Sequence, residues 1–164
     1  IEQIRMLLDQ SISETRVLIR DLSPQVLYQL GLEAAIDWLA EQTQAKYGLR
    51  CMAEVHPLQS PIKEARRIVL FQAAPELLIN VAKHARADKA RIILQGNKTS
   101  VTICVEDNGT GFDSSLLTVP NSTATGFGLF SIRERLAALD GELQIDSAPG
   151  QGTKAIITLP AHAA

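Results

Sequence analysis

Residues 105–113 read "VEDNGTGFD". They close a run in which Val101, Ile103 and Val105 alternate with Thr102, Cys104 and Glu106, so a strand over about residues 100–106 is expected to deliver Asp107 at its end. Gly109 and Gly111 follow at once, and a backbone without Cβ atoms lets a ligand come close. A carboxylate only accepts hydrogen bonds, so a rigidly held Asp107 suits the exocyclic amine of adenine and repels the carbonyl that guanine carries there. The Asn108-Gly109 pair also suits a tight hairpin turn, and the stretch by itself leaves both readings open.

Working outward, "ARIILQ" at 90–95 forms a second strand beside this one. Downstream lie a Ser/Thr-rich stretch at 113–125, expected to be a mobile loop, and a helix near 128–139 with Leu129, Ile132, Leu136 and Leu139 on one side. Two more strands, "ELQIDS" and "TKAIITLP", are joined by the turn "APGQG". Upstream, "LRCMAEV" at 49–55 alternates as a strand does, and a long helical pattern runs from about Lys63 to His84. A further helix covers about Leu32 to Lys46, with Ala35, Ile36, Trp38 and Leu39 on its apolar side and Gly48 ending it. Residues 1–22 carry a three-four stripe at Ile1, Ile4, Leu8, Ser11, Thr15, Leu18 and Leu22, stopped at "DLSPQ" by Pro24. The stripe fits packing within the chain or half of a dimeric bundle. Two adjacent strand pairs on short turns predict an α+β fold, with a mixed, largely antiparallel sheet covered on one face by helices.

The 164 residues, 46% of them hydrophobic, suffice for one well-formed domain with a short helical appendage. Sixteen basic against eighteen acidic residues give a net charge of −2, which argues against direct nucleic-acid binding. Cys51 and Cys104 sit within alternating apolar patterns without zinc-ligand spacing, as reduced, packed thiols in a reducing compartment would. No run of about 20 apolar residues exists to span a membrane. The opening "IEQIRMLL" is acidic where a signal peptide is basic and lacks an initial methionine, so a piece of a longer protein is expected.

Two more stretches carry chemistry. In "PELLINVAKHARA", residues 75–87, ideal helical geometry gathers Glu76, Asn80, Lys83, His84 and Ala87 in one quadrant and sets Leu77, Leu78, Val81 and Ala85 opposite. Asn80 offers a hard oxygen to Mg²⁺ and Lys83 a point charge to phosphate; the same pattern also suits a plainly solvated face. Pro75 lacks the N–H that would meet the Phe71 carbonyl, so a kink just before Glu76 is expected. In "TGFGLFSIRERL", residues 125–136, a glycine pair opens a helix whose free N–H groups favour phosphate.

In order and spacing these stretches form E-x-x-x-N on a helix, D-x-G-x-G about 27 residues on, a Ser/Thr-rich loop, G-x-G-L, and lastly "GQGT". The sequence thereby closely resembles the ATP-binding domain of sensor histidine kinases, within the ATPase superfamily that includes gyrase, mismatch-repair proteins and heat-shock chaperones. Residues 76–85 match the N box, 107–111 the first glycine box and 125–129 the second. The segment "DLSPQVLYQLGLEAAIDWLAEQTQAKYGL" is similar to the connector of the nitrate-sensor and DesK-like subfamily. The resemblance implies a two-layer α/β sandwich, the Bergerat ATP-binding fold, over residues 31–164, preceded in residues 1–30 by the end of a dimerisation hairpin. It implies ATP and Mg²⁺ as cofactors and Glu76 as the catalytic polar residue. Asn80, as metal ligand, would bind them together with Lys83, His84, Asp107, Gly109, Gly111, Gly126, Gly128, Leu129 and Thr153.

The implied activity is transfer of the ATP γ-phosphoryl group to a histidine outside this segment and then to an aspartate of a response regulator, one with a helix-turn-helix output domain. The implied assembly is a homodimer through the hairpin and residues 1–22, cytoplasmic and free of membrane contact in this segment, from a parent protein that membrane anchoring would also suit. His56, His84 and His162 are the only histidines and none lies on the hairpin, so the segment is expected to bind ATP without phosphorylating itself. Two rivals stand beside this: an ATPase or serine kinase of the same superfamily, and a degenerate dimeric scaffold.

Overall fold

A computed structural model describes residues 24–115 and 127–161. The expected helix over residues 1–22, its stop, and most of the loop at 113–125 lie outside the described residues.

Helix α1 runs over Pro24–Tyr47 but breaks at Gly31, whose φ of 83° and ψ of 174° no helix contains. It starts eight residues earlier than the apolar spacing predicts, because Pro24 stands at the first helical position, where a missing N–H costs nothing. Beyond the break, Ala35, Ile36 and Leu39 are buried as expected. Gly48 closes the helix with φ of 67° and an N–H donated to the Gln44 carbonyl. Strand β1, Arg50–Val55, and helix α2, Glu64–Asn80, follow, the helix leading into a wider π-turn at Val81–Ala85. Then come β2, Lys89–Gly96, and β3, Ser100–Asp107. Helix α3, Phe127–Ala137, and strands β4, Glu142–Ser147, and β5, Thr153–Pro160, complete the described chain.

The five strands form one sheet in the order β1-β2-β3-β5-β4. Only β1 and β2 pair in parallel; the other three pairings are antiparallel. The mixed sheet agrees with the sequence reading, and the hairpin alternative for Asn108-Gly109 fails because the partners of β3 are β2, which precedes it, and β5, which follows only after α3 and β4.

Register decides which residues share a face. Ile92, Val105 and Ala155 lie in one row and Leu94, Ile103 and Ile157 in the next, all buried beneath the helices with Leu70, Leu78, Ile132 and Leu136. Burying such rows removes the largest apolar area from water and holds the two layers together. The opposite face is charged: Glu106 on β3 accepts from Arg91 at 2.6 Å and Lys154 at 2.8 Å. Those two partners, Lys154 foremost, hold the Glu106 carboxyl down at about 2. Cys104, on the same face, is only 5% exposed, and Cys51 is buried on the helix side. Both thiols are free, and burial pushes each up to about 11, so they stay protonated.

Arg66, in the first turn of α2, is buried and donates to the Pro160 carbonyl, tying that helix to the end of β5. No described helix is long and apolar enough to cross a membrane.

Candidate nucleotide site

The site is built where the end of α2 meets the end of β3. Leu77, Leu78 and Val81 turn into the core, which leaves Glu76 and Asn80, four residues apart, together on the less buried side of α2. The helix runs on through Pro75 from Glu64 to Asn80, so Pro75 does not end it before Glu76. What changes the geometry is the π-turn after Asn80, with its i→i+5 bonding. It carries Lys83 and His84, both exposed, and ends at Arg86 in the left-handed region with φ of 51°. Ala87 therefore lies beyond the helix, and the quadrant drawn at uniform helical spacing holds only as far as Asn80.

Asp107 is the last residue of β3, in register with Ala90 on one side and Thr153 on the other, and its parity sets it on the helix side of the sheet. Its Oδ1 accepts the Gly109 N–H at 2.7 Å. Burial raises its pKa, and the backbone N–H groups of Gly109 and Thr153 oppose that shift without cancelling it. A half-buried carboxylate is thus fixed in direction by the loop that follows it.

The glycines act otherwise than their spacing suggested. A Cβ on Gly109 would run into the backbone carbonyl of Ala85, at the end of the π-turn, and the neighbouring Thr110 N–H donates to that same carbonyl at 2.7 Å. A Cβ on Gly111 would meet the Ala148 carbonyl, and one on Gly152 the carbonyl of Asp107. In each case it is the protein's own backbone, rather than a ligand, that fills the space a side chain would need. The glycines let the N-box helix, the Asp107 loop and the β4–β5 turn touch.

Gly128, near the start of α3, lies against α2, where a Cβ would run into the carboxylate of Glu76. The structure thus brings Glu76 and Gly128 together. Leu129 is half-buried against the core, and Gly126 lies outside the described residues. Thr153 opens β5, its hydroxyl 3.1 Å from that of Ser147.

Two residues that the sequence reading passed over hold this corner. Asn108 Oδ1 accepts the N–H groups of Asp88 and Lys89, at 3.1 and 3.0 Å, fastening the start of β2 to the Asp107 loop. Ser147, only 8% exposed, accepts the Phe112 N–H and donates to the Gly152 carbonyl. An Asn after a strand and a Ser ending one are too common in sequences to have signalled these bonds.

Among the described residues no group of three or more His, Cys, Asp or Glu could hold a metal. The half-buried amide of Asn80 suits a cation that takes most of its ligands from phosphate oxygens and water, as Mg²⁺ does.

Residues 65–163 match the family described as histidine kinase-, DNA gyrase B- and HSP90-like ATPase. The chain is 32% identical over 148 residues to the sensor histidine kinase ComP of Bacillus subtilis, covering 90% of this chain and 19% of that protein. It is 30% identical over 160 residues to the signal transduction histidine-protein kinase/phosphatase DegS of Brevibacillus brevis, covering 98% of this chain and 40% of that one. The oxygen sensor histidine kinase NreB of Staphylococcus carnosus is 28% identical over 159 residues, covering 97% and 45%. The chain therefore spans less than half the length of these relatives. Among solved structures, the blue-light activated histidine kinase EL346 of Erythrobacter litoralis superposes with a TM-score of 0.69 at 21% identity, covering 93% of this chain and 50% of that one. The mycobacterial sensor histidine kinase MprB gives 0.58 at 21% identity, covering 79% and 93%.

Proposed function

The chain belongs to the histidine kinase-, DNA gyrase B- and HSP90-like ATPase family, with the fold of sensor histidine kinases, and on that premise we propose that it is the catalytic segment that phosphorylates a histidine. ATP lies between α2 and the residues leading into α3. Asp107 accepts the exocyclic amine of adenine, and the Thr153–Ser147 hydroxyl pair holds the neighbouring backbone in place. Gly109 and Gly111 keep the cleft wall close to the base, and Gly126, Gly128 and Leu129 shape the phosphate side. Lys83 and His84, free to reach out from the π-turn, neutralise phosphate oxygens.

Asn80 is the protein's ligand to Mg²⁺, which when bound supplies charge neutralisation across the phosphates. Glu76, beside Gly128, orients the attacking imidazole. Phosphoryl transfer asks for positioning and charge compensation more than covalent help from the protein, and these residues provide both. The acceptor histidine lies outside this segment, in a cytoplasmic homodimer joined through the hairpin and residues 1–22. The phosphoryl group then passes to an aspartate of a response regulator with a helix-turn-helix output domain.

The observation that carries this is the clamp between motifs. Thr110 N–H on the Ala85 carbonyl fastens the glycine-box loop to the end of the N-box helix, so the Asp107 side chain and the Asn80–His84 segment belong to one rigid corner. Calorimetric titration with a non-hydrolysable ATP analogue, with and without Mg²⁺, tests it. Asp107→Asn should weaken binding ten- to a hundredfold in both conditions, about 1–3 kcal/mol for one mismatched buried polar contact. Asn80→Ala should abolish the gain that Mg²⁺ brings and leave the metal-free affinity alone. Unchanged affinity in Asp107→Asn would show that adenine lies elsewhere.

A further inference from the structure

At the other end of α2 from the nucleotide corner is a cavity of about 560 Å³, set between the break in α1 and the loop after β1. Its volume falls in the range of small-molecule sites. Leu32, Leu58 and Ile62 give it apolar walls, and Gly31, Glu33 and Arg67 also line it.

Arg67 is the anomaly. Its Nε is buried and has no hydrogen-bond acceptor, and among the described residues no carboxylate pairs with it. A buried N–H ordinarily has a partner, because an unmet donor is costly. Arg67 also stands in the first turn of α2, where the helix dipole disfavours positive charge. Glu64, in the same turn, is exposed and does not reach it. Glu33 also lines the cavity and, among the described residues, pairs with no cation. It lies in the first turn of the helical piece that restarts at Leu32, where the dipole favours a negative charge, and its carboxylate folds back toward Gly31. A half-buried cation whose Nε lacks an acceptor therefore lines a cavity with both apolar and polar walls.

We propose that this cavity binds a small amphipathic anion, its carboxylate or phosphate paired with the Arg67 guanidinium and its hydrocarbon part lying against Leu32, Leu58 and Ile62. A guanidinium and a carboxylate or phosphate form strong, charge-assisted paired hydrogen bonds, which supply Arg67 Nε with the acceptor it lacks. The ligand bridges the Gly31 break and the loop after β1, and so ties the start of the second helical piece of α1 to the domain. The site does not depend on the nucleotide assignment: Arg67 is nine residues, about 14 Å, along α2 from Glu76.

The test is an NMR titration of the chain with hexanoate, hexyl phosphate and hexanol, following the amide signals of residues 31–33 and 58–62 and the Arg67 Nε–H signal. Saturable shifts at these signals with hexanoate or hexyl phosphate support the site, and whichever binds more tightly tells a carboxylate source from a phosphate one. Arg67→Gln should weaken that binding at least tenfold, and Arg67→Lys, which keeps the charge and loses the fork, should fall between. The Arg67 Nε–H signal gives a readout in the unaltered protein should either variant fold poorly. Absence of saturable shifts, equal binding by hexanol, or undiminished binding by Arg67→Gln in a folded protein would overturn the proposal.

Discussion

Asp107 serves binding at some expense to the fold. Its raised pKa means that the folded state favours the protonated form, so the group's contribution to stability is fully present below the unfolded aspartate value and is lost as pH rises through the folded one. Near neutral pH the ionised carboxylate is a burden. Asp107→Asn keeps an acceptor for the Gly109 N–H and sheds the charge, so the nucleotide-free variant should melt no lower than the parent at neutral pH, with the difference closing as pH falls below the ordinary aspartate range. Melting curves at several pH values, set beside the ATP titration, check that the same change weakens the ligand and spares the fold. Two glycines offer a second contrast. Gly109→Ala sets a methyl against the fixed Ala85 carbonyl, and a loss of about 2–3 kcal/mol is expected in denaturant unfolding. Gly128→Ala meets only the movable end of Glu76, so its stability should change by less than about 1 kcal/mol while the displaced carboxylate lowers turnover with a histidine-bearing acceptor domain.

Among the elements, α2 is the one on which the cleft depends. Pro75 leaves the carbonyl of the buried Phe71 without its helical donor, yet the helix continues to Asn80 because Leu70, Phe71, Ala73, Ala74, Leu77 and Leu78 are all packed into the core. Pro75→Ala restores that bond and should stabilise the chain by about 1–3 kcal/mol, reduced somewhat by the greater freedom of the unfolded chain. The midpoint of urea unfolding measures it, and ATP affinity should hold steady because Glu76 and Asn80 already lie on one continuous helix. A midpoint that fails to rise would mean that the Phe71 carbonyl is satisfied in some other way. The π-turn is the part of this element that the sequence concealed. Helical periodicity counts 3.6 residues per turn, and nothing in "VAKHA" marks the five residues that depart from it.

For the molecule as a whole, the clamp among α2, the Asp107 loop and the β4–β5 turn builds the proposed nucleotide corner from groups that include no acceptor histidine. Incubated with Mg²⁺ and ATP alone, this chain should gain no acid-labile phosphate. Mixed with a sensor histidine kinase dimerisation hairpin that bears an acceptor histidine, it should transfer phosphate to that hairpin. Radiolabel retained on the isolated chain would place the acceptor within these 164 residues and contradict the assignment. Gly31 breaks α1, and just before it Tyr28 and Leu30 are exposed while Leu27 is buried in the core.

Much of this was open to reading from the residues in order. Alternation fixed the five strands, because a half-buried strand must repeat every two residues, and β4 and β5 begin and end where the alternation does. The E-x-x-x-N, D-x-G-x-G and G-x-G-L spacings identified the family, because each places a chemical group at the end of an element whose period the sequence itself displays. What only the tertiary structure decided were contacts between segments distant in the chain: the Ala85 carbonyl that makes Gly109 obligatory, the Ser147 hydroxyl under Phe112, the unpartnered Arg67 above its cavity. Periodicity reports which face of an element is apolar and carries no record of which backbone will cross it. Those crossings are set by the packing of layers, and here they are what turns three separate motifs into one corner.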